Sequence, residues 1–279
     1  MNIHNIIYPF DFSDGFTKEE ANKQIKSIHC PVCGSNSDIQ PFSDNLRESG
    51  LCKSCGSWNR KRVMAVMVCE VIEKMTGARV CTLADSIPPI KIFNAEWQGP
   101  IHEKLKKVQG YTFSRYAGPS YQSGKIINGI THQDLLKTSF DECSFDIVLT
   151  ADVLEHIPDP YFAHKEIYRI LKKGGVHLFT VPSYLNFPLD TQKAAVQDGQ
   201  IVSITDPEWH GEKRDDRRVY TYFGLEMIGH LHTIGFKVIV HDFSIPEMGI
   251  IGPRAICYEA IKDHKPISRP IPSGLRNTL

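Results

Sequence analysis

Two groups of side chains have the types and spacing that chemistry needs. The first is Cys30-Pro31-Val32-Cys33-Gly34 and Cys52-Lys53-Ser54-Cys55-Gly56, two Cys-x-x-Cys pairs separated by eighteen residues. A two-residue gap lets one tight turn present two thiolates about 109° apart at a tetrahedral ion, and the following glycines supply the unusual backbone of such a turn. Cys30, Cys33, Cys52 and Cys55 are therefore expected to hold Zn2+. Four thiolates complete the shell, so the metal would be structural and His29 is not needed as a ligand. Two redox-active Cys-x-x-Cys pairs are the alternative reading of this spacing. The second group is Asp152, Glu155 and His156, followed at a distance by Trp209 and His210. Carboxylates and imidazoles in irregular stretches are the side chains that move protons near neutral pH.

The elements around Asp152 give that group its place. Residues 145–150, Phe-Asp-Ile-Val-Leu-Thr, form a short apolar run suited to a strand buried on both faces. Helical spacing follows, with Phe162, Ile167, Ile170 and Leu171 inward and Lys165, Glu166 and Arg169 outward. Lys172-Lys173 are read as the positive end of that helix and Gly174-Gly175 as its stop, before a strand over 176–181. Such a βαβ unit is right-handed and parallel, and its ligands lie beyond the carboxyl ends of the strands. Asp152, Glu155 and His156 fall there, whereas His164 and His177 lie within the helix and strand and are read as structural.

The rest of the chain divides into segments. Residues 1–28 carry little pattern beyond a helix start at Thr17-Lys18-Glu19-Glu20, and 29–60 form the expected zinc ribbon. A linker follows over 61–89, with a buried helix at 63–75 that ends at Gly77 and a boundary at Pro88-Pro89. Arg60-Lys61-Arg62 is read as a helix flank. From 90 to 262, strand and helix alternate. Strands are expected at 90–94, 111–114 and 125–130, a helix at 101–108, a long irregular section at 183–218, a helix at 222–234, and final strands at 236–243 and 254–261. The short link between the last two makes them an antiparallel pair. The run from Glu212 to Arg218 is read as a solvated loop, and 263–279 as a flexible tail.

Bulk composition narrows the function classes. The 279 residues have zero formal net charge, 41% hydrophobic and 23% charged residues, so no global electrostatic case exists for nucleic acid or anionic membrane as partner. No apolar run approaches the roughly 20 residues that span a bilayer, and the first residues lack a secretory pattern. Eight cysteines, four of them in metal-spaced pairs, point to a reducing, cytoplasmic setting.

In order and spacing, Gln133-Asp134-Leu135, Ser144-Phe145-Asp146-Ile147-Val148, Asp152-Val153-Leu154-Glu155-His156-Ile157-Pro158-Asp159, Leu171-Lys172-Lys173-Gly174-Gly175 and Thr180-Val181-Pro182 resemble the class I S-adenosylmethionine-dependent methyltransferases of the type 11-like kind. The cysteine pairs suggest the subgroup with an N-terminal zinc ribbon. The resemblance implies a Rossmann-like, doubly wound α/β sheet of five βα units with a final antiparallel hairpin, and S-adenosylmethionine as cofactor. By the same resemblance Asp134 receives the adenine amino group, Leu135 packs on the ring, and Ala151 and Asp152 lie near the methionine part. Asp134 and Asp152 have alternative readings as caps of local turns. The chain departs from the family where a Gly-x-Gly-x-Gly loop is usual: Ala95-Glu96-Trp97-Gln98-Gly99-Pro100 has a single glycine. The acid that usually binds the ribose is absent, leaving Ser114 and Arg115, with Glu96 as a substitute for the ribose or the cofactor's amino group.

Methyl transfer from a sulfonium needs alignment more than covalent chemistry, and an oxygen or nitrogen acceptor gains from a general base. His156 is the first candidate base, Glu155 would orient it or bind substrate, and His210 is a second base beside a stacking surface at Trp209. Each has a structural reading as well, His156 and Glu155 as loop-orienting groups and Trp209 as packing. The leading expectation is methylation of an O or N atom of a small-molecule or carrier-linked metabolite. A nucleic-acid methyltransferase that reads through the ribbon, and a non-catalytic assembly protein with a degenerate cofactor loop, are the alternatives.

Overall fold

The computed structural model describes residues 16–211, 217–242, 244–252 and 255–263. Part of the 1–28 segment, most of the charge run after Gly211 and all but Asp263 of the 263–279 tail lie outside the described residues.

The chain opens with α1 (Lys18–Gln24), whose Thr17 and Glu20 form a reciprocal capping box. Strands β1 (Ser27–His29) and β2 (Asn36–Asp38) pair antiparallel around the first Cys-x-x-Cys turn. The two turns repeat one backbone pattern. Cys30 N–H donates to Ser35 O at 3.0 Å and Gly34 N–H to Cys30 O at 2.8 Å; Cys52 N–H donates to Ser57 O at 2.9 Å and Gly56 N–H to Cys52 O at 2.8 Å. Both closing glycines have φ near +70°, a conformation that a side chain would strain.

Helix α2 (Asn59–Thr76) starts four residues before the apolar run begins and takes in Arg60, Lys61 and Arg62. Three cations in a first turn without an acid oppose the helix dipole. Each is offset by a partner distant in sequence. Arg62 is fully buried and donates to the carbonyls of Gly50, Ser57 and Gly249, tying the second cysteine turn to the segment between Phe236–His241 and Cys257–Lys262. Arg60-Lys61-Arg62 thus stand at the start of the helix, as expected, and are a buried, paired set.

The main sheet follows: β3 (Ile92–Asn94), α3 (Pro100–Leu105), β4 (Tyr111–Phe113), a hairpin of β5 (Ile126–Ile127) and β6 (Ile130–Thr131), β7 (Phe145–Ala151), α4 (Pro160–Ile170) and β8 (Leu171–Thr180). Beyond them lie β9 (Thr191–Gln192), the hairpin β10 (Ala194–Gln197) and β11 (Gln200–Ser203), β12 (Thr221–Tyr222), α5 (Glu226–Ile234), β13 (Phe236–His241) and β14 (Cys257–Lys262). Six strands form one sheet in the order β4-β3-β7-β8-β14-β13. The first four are parallel and β14 is antiparallel to both its neighbours, which gives the Rossmann-like arrangement with its closing hairpin. Alternation along β7 builds two cores. Ile147 and Leu149 face α2 and α3, and Val148 faces α4 and α5. The first core is continuous from Ile28 and Val32 of the ribbon through α2 to the sheet.

Several expected boundaries move. Residues 125–130 do not join the sheet: Asn128 and Gly129 both have positive φ and turn the chain back on itself, leaving Ile126 69% exposed. Helix α4 ends at Ile170, because Leu171 is extended and already pairs with Phe145. Lys172-Lys173 therefore belong to the strand, with Lys172 Nζ 2.8 Å from Asp146 Oδ1, and Gly174-Gly175 lie within β8. The 222–234 helix begins only at Glu226, and the 183–218 section contains β9, β10 and β11. Among the described residues no helix is long and apolar enough to cross a membrane.

Replacing Arg62 with Met should strand three buried carbonyls and cost roughly 3 kcal/mol, read from the urea midpoint. Arg62→Lys should fail to restore it, since one ammonium does not span the three acceptors. Unchanged stability in Arg62→Met would contradict this role.

Candidate active site

Strand β7 ends at Ala151, and Asp152 follows with φ 56°, a backbone state uncommon outside glycine, asparagine and aspartate. Two arginines meet its carboxylate. Arg47, in the turn between the cysteine pairs, sends both terminal nitrogens to the two carboxylate oxygens of Asp152. Arg60 Nε lies 3.2 Å from Asp152 Oδ2 and 2.6 Å from Glu48 Oε1. Thr180 Oγ1 donates to Asp152 Oδ1 at 2.9 Å. Burial pushes the Asp152 carboxyl upward, but Arg60, Arg47 and the hydrogen bonds outweigh it and hold it well below the usual carboxylate range. The carboxylate does not cap the turn at Leu154 and Glu155; it anchors the ribbon to the strand end.

A second tie runs parallel. Lys61 Nζ lies 2.7 Å from Glu96 Oε2, so Glu96 in the single-glycine loop is the counter-ion of a buried lysine. Trp97 projects from the same loop, 38% exposed, and the Arg115 guanidinium lies 5.8 Å from its ring. Asp134 Oδ1 accepts from the Leu136 N–H at 2.8 Å, so the turn-capping contact is made.

One cavity of about 1840 Å3 collects these groups. Its wall includes Ala95, Glu96 and Gly99 after β3, Ser114 after β4, Asp134 and Leu135, and Ala151 and Asp152 after β7. His156 and His210 close one side. Glu155 is fully buried behind them, with Oε1 3.8 Å from His156 Nε2 and 3.6 Å from His210 Nδ1. The two imidazole rings meet edge to face, 4.9 Å apart. Burial and the charge of Asp152 push the Glu155 carboxyl well above the usual range. Trp209 is not part of the cavity wall. It packs on Arg218, whose guanidinium lies 5.2 Å from its ring, so the packing reading holds and the stacking surface does not.

Arg47, Arg60 and Lys61 were not expected at the site. Arg47 gave no local signal, since its partner is 105 residues away. Arg60 and Lys61 gave one: cations at a helix N-terminus followed by an apolar run require acids from elsewhere. His164 and His177 are fully buried, and burial draws His164 down to about 3, in keeping with structural roles.

Asp152→Asn should cost roughly 3 kcal/mol by leaving Arg47 and Arg60 facing a neutral amide. The sign follows from the depressed carboxyl: its contribution is complete above about pH 4 and fades below that. The gap between wild type and Asp152→Asn in urea melts should therefore narrow on acidification, and a gap that widens would refute the assignment.

Comparison with known proteins finds similarity over part of the chain. Residues 106–179 match the model described as a methyltransferase domain. A protein of Encephalitozoon cuniculi (strain GB-M1), named as a methyltransferase, is 34% identical over 118 residues, which cover 40% of this chain and 54% of that protein. A polyketide synthase of Dictyostelium discoideum is 43% identical over 47 residues, 17% of this chain and 2% of its own. The chain thus spans about half the length of the first of these relatives, and a small part of the second. An S-adenosylmethionine-dependent methyltransferase from Mesorhizobium loti, known as a crystal structure, is similar over 63% of this chain and 93% of its own, at 15% identity and TM-score 0.38. Residues 106–179 are thus similar to a methyltransferase domain, and they contribute β7, α4 and most of β8 to the chain's own Rossmann-like sheet.

Proposed function

We propose that the chain transfers a methyl group from S-adenosylmethionine to an O or N atom of a small-molecule or carrier-linked metabolite, and that its four clustered cysteines hold a structural Zn2+. The observation that carries the first part is the single cavity joining the loops after β3, β4 and β7 to His156 and His210. Its volume of about 1840 Å3 exceeds the roughly 300–1,000 Å3 of a one-ligand pocket, leaving room for cofactor and acceptor together.

When bound, S-adenosylmethionine supplies a methyl group already activated on a sulfonium. The chain's own work is to hold and align. Asp134 and Leu135 offer a polar and an apolar surface for the adenine, and Ala151 leaves the strand end open beside Asp152. The paired state of Glu96 and Asp152 fixes the loops before any ligand arrives, which lowers the ordering cost of binding. Glu155, His156 and His210 form the acceptor end. A nucleic-acid substrate is disfavoured by the neutral chain and by the burial of Arg60, Lys61 and Arg62 in internal pairs.

For the metal, the four thiols offer one sulfur each, all within 4.8 Å of one another, with Cys30 and Cys55 at 3.7 Å and Cys33 and Cys52 at 3.9 Å. Those spacings suit the edges of a tetrahedral thiolate shell, where bonds near 2.3 Å set sulfurs roughly 3.8 Å apart. A four-thiolate zinc centre carries two net negative charges, and buried Arg62 stands near it as a cation.

Equilibrium dialysis of methyl-labelled S-adenosylmethionine should show one site per chain, weakened about tenfold or more in Asp134→Ala, the loss of one charged hydrogen bond. No retention at millimolar cofactor would reject the enzyme reading and favour a non-catalytic protein. Modifying the thiols of the purified protein with an organomercurial should release one zinc per chain, and none from Cys52→Ser. A Cys52→Ser protein that still releases one zinc on thiol modification would exclude the four-cysteine site.

A further inference from the structure

The structure points to a second metal site, which the cysteine pattern does not announce. We propose that Glu155, His156 and His210 hold a divalent transition-metal cation, of the Zn2+, Mn2+ or Fe2+ kind, at the acceptor end of the cavity. One ligand atom from each lies within 4.8 Å of the others.

Glu155 carries the argument. It is fully buried, and beyond its own backbone amide neither carboxylate oxygen has a hydrogen-bond partner. Burying a carboxyl with both oxygens unmatched is costly unless something else engages them. The two facing imidazole nitrogens, His156 Nε2 at 3.8 Å and His210 Nδ1 at 3.6 Å, are too far for direct hydrogen bonds. They are close to the separation set by an intervening ion, because bonds of about 2.1 Å at a tetrahedral centre hold ligand atoms roughly 3.4 Å apart.

The second observation concerns the imidazole. His156 Nδ1 lies 2.8 Å from the carbonyl oxygen of Arg218. A carbonyl only accepts, so Nδ1 carries the hydrogen and Nε2 turns its lone pair toward Glu155. Metal-bound histidines are oriented in this way, by a backbone carbonyl on the other ring nitrogen. The same segment sets the third ligand. Tyr220 N–H donates to Glu155 O at 2.7 Å, and His210 N–H donates to Arg217 O at 3.0 Å. The strap that carries His210 is thereby held against the loop that carries Glu155 and His156.

Two imidazoles and one carboxylate suit a borderline transition ion better than Mg2+ or Ca2+. Three protein ligands leave coordination positions open, and both histidines border the cavity. An acceptor oxygen bound there would lose its proton more readily. This role, unlike the site itself, rests on the methyl-transfer reading, and it favours a hydroxyl-bearing acceptor.

The test is titration with MnCl2 of the chain dialysed to one zinc per chain, the thiolate-bound one, following free Mn2+ by electron paramagnetic resonance in the absence of cofactor. One Mn2+ per chain is expected, with affinity reduced about tenfold or more in Glu155→Gln and in His210→Ala. Circular dichroism melts report whether each variant folds. His210, with its side chain 38% exposed, can be replaced without loss of core packing, so that variant decides the matter alone if Glu155→Gln does not fold. No uptake at millimolar Mn2+, or equal uptake by wild type and folded variants, would overturn the site. A chain that binds S-adenosylhomocysteine but no Mn2+ keeps the methyl-transfer reading and loses this one; the reverse outcome does the opposite.

Discussion

The carboxylate of Asp152 lies where three parts of the molecule meet, and its two arginine partners set the terms for the rest. Arg47 comes from the turn between the cysteine pairs, Arg60 from the first turn of α2, and Asp152 itself from the end of β7. A buried ion pair of this kind contributes little net stability over an apolar alternative, but its parts do not tolerate separation. That asymmetry makes it a device for register. It fixes where the ribbon sits against the sheet, and it engages Asp152 in a left-handed conformation.

Seen from this contact, the ribbon is part of the cavity and not an appendage to the domain. Arg47, Glu48, Trp58, Arg60 and Lys61 all border the cavity, beside the loops that follow β3, β4 and β7. The single-glycine loop becomes intelligible in the same way. A glycine-rich loop relies on small residues for close backbone approach. Here Glu96 is pinned by Lys61 of α2, and Trp97 lies near Arg115 of the loop after β4, so side chains from other elements stabilise a loop that its own backbone does not.

The sheet was legible because its cause is local. Apolar runs of strand length, helical spacing and a short final link specify β7, α4 and the β13–β14 pair, although α4 stops before its expected glycines and Phe162, expected inward, is 50% exposed; alternation along β7 sorts Ile147, Val148 and Leu149 between two cores. The strand expected at 125–130 failed for an equally local reason, an Asn-Gly turn at its centre. The cavity wall was legible where it follows strand ends, at Ala95–Gly99, Ser114, Asp134 and Ala151–Asp152. What spacing in the chain did not reveal were the contacts between distant charges. Arg47 and Glu48 lie in one short helical turn and Asp152 follows a strand end 105 residues later, with no periodicity to link them. Trp209 shows the converse: its type suggested a stacking surface, and Arg218 had already taken that face.

If the cysteine module and the cavity are one unit joined at Asp152, the proposed zinc must be felt by the proposed cofactor. Calorimetric titration of S-adenosylhomocysteine into the same preparation before and after removal of the thiolate-bound zinc measures this directly. The account requires saturable binding by the zinc-loaded chain and a loss of about tenfold or more in affinity once zinc is removed, with affinity restored on reloading. Equal affinity in the two states would contradict it.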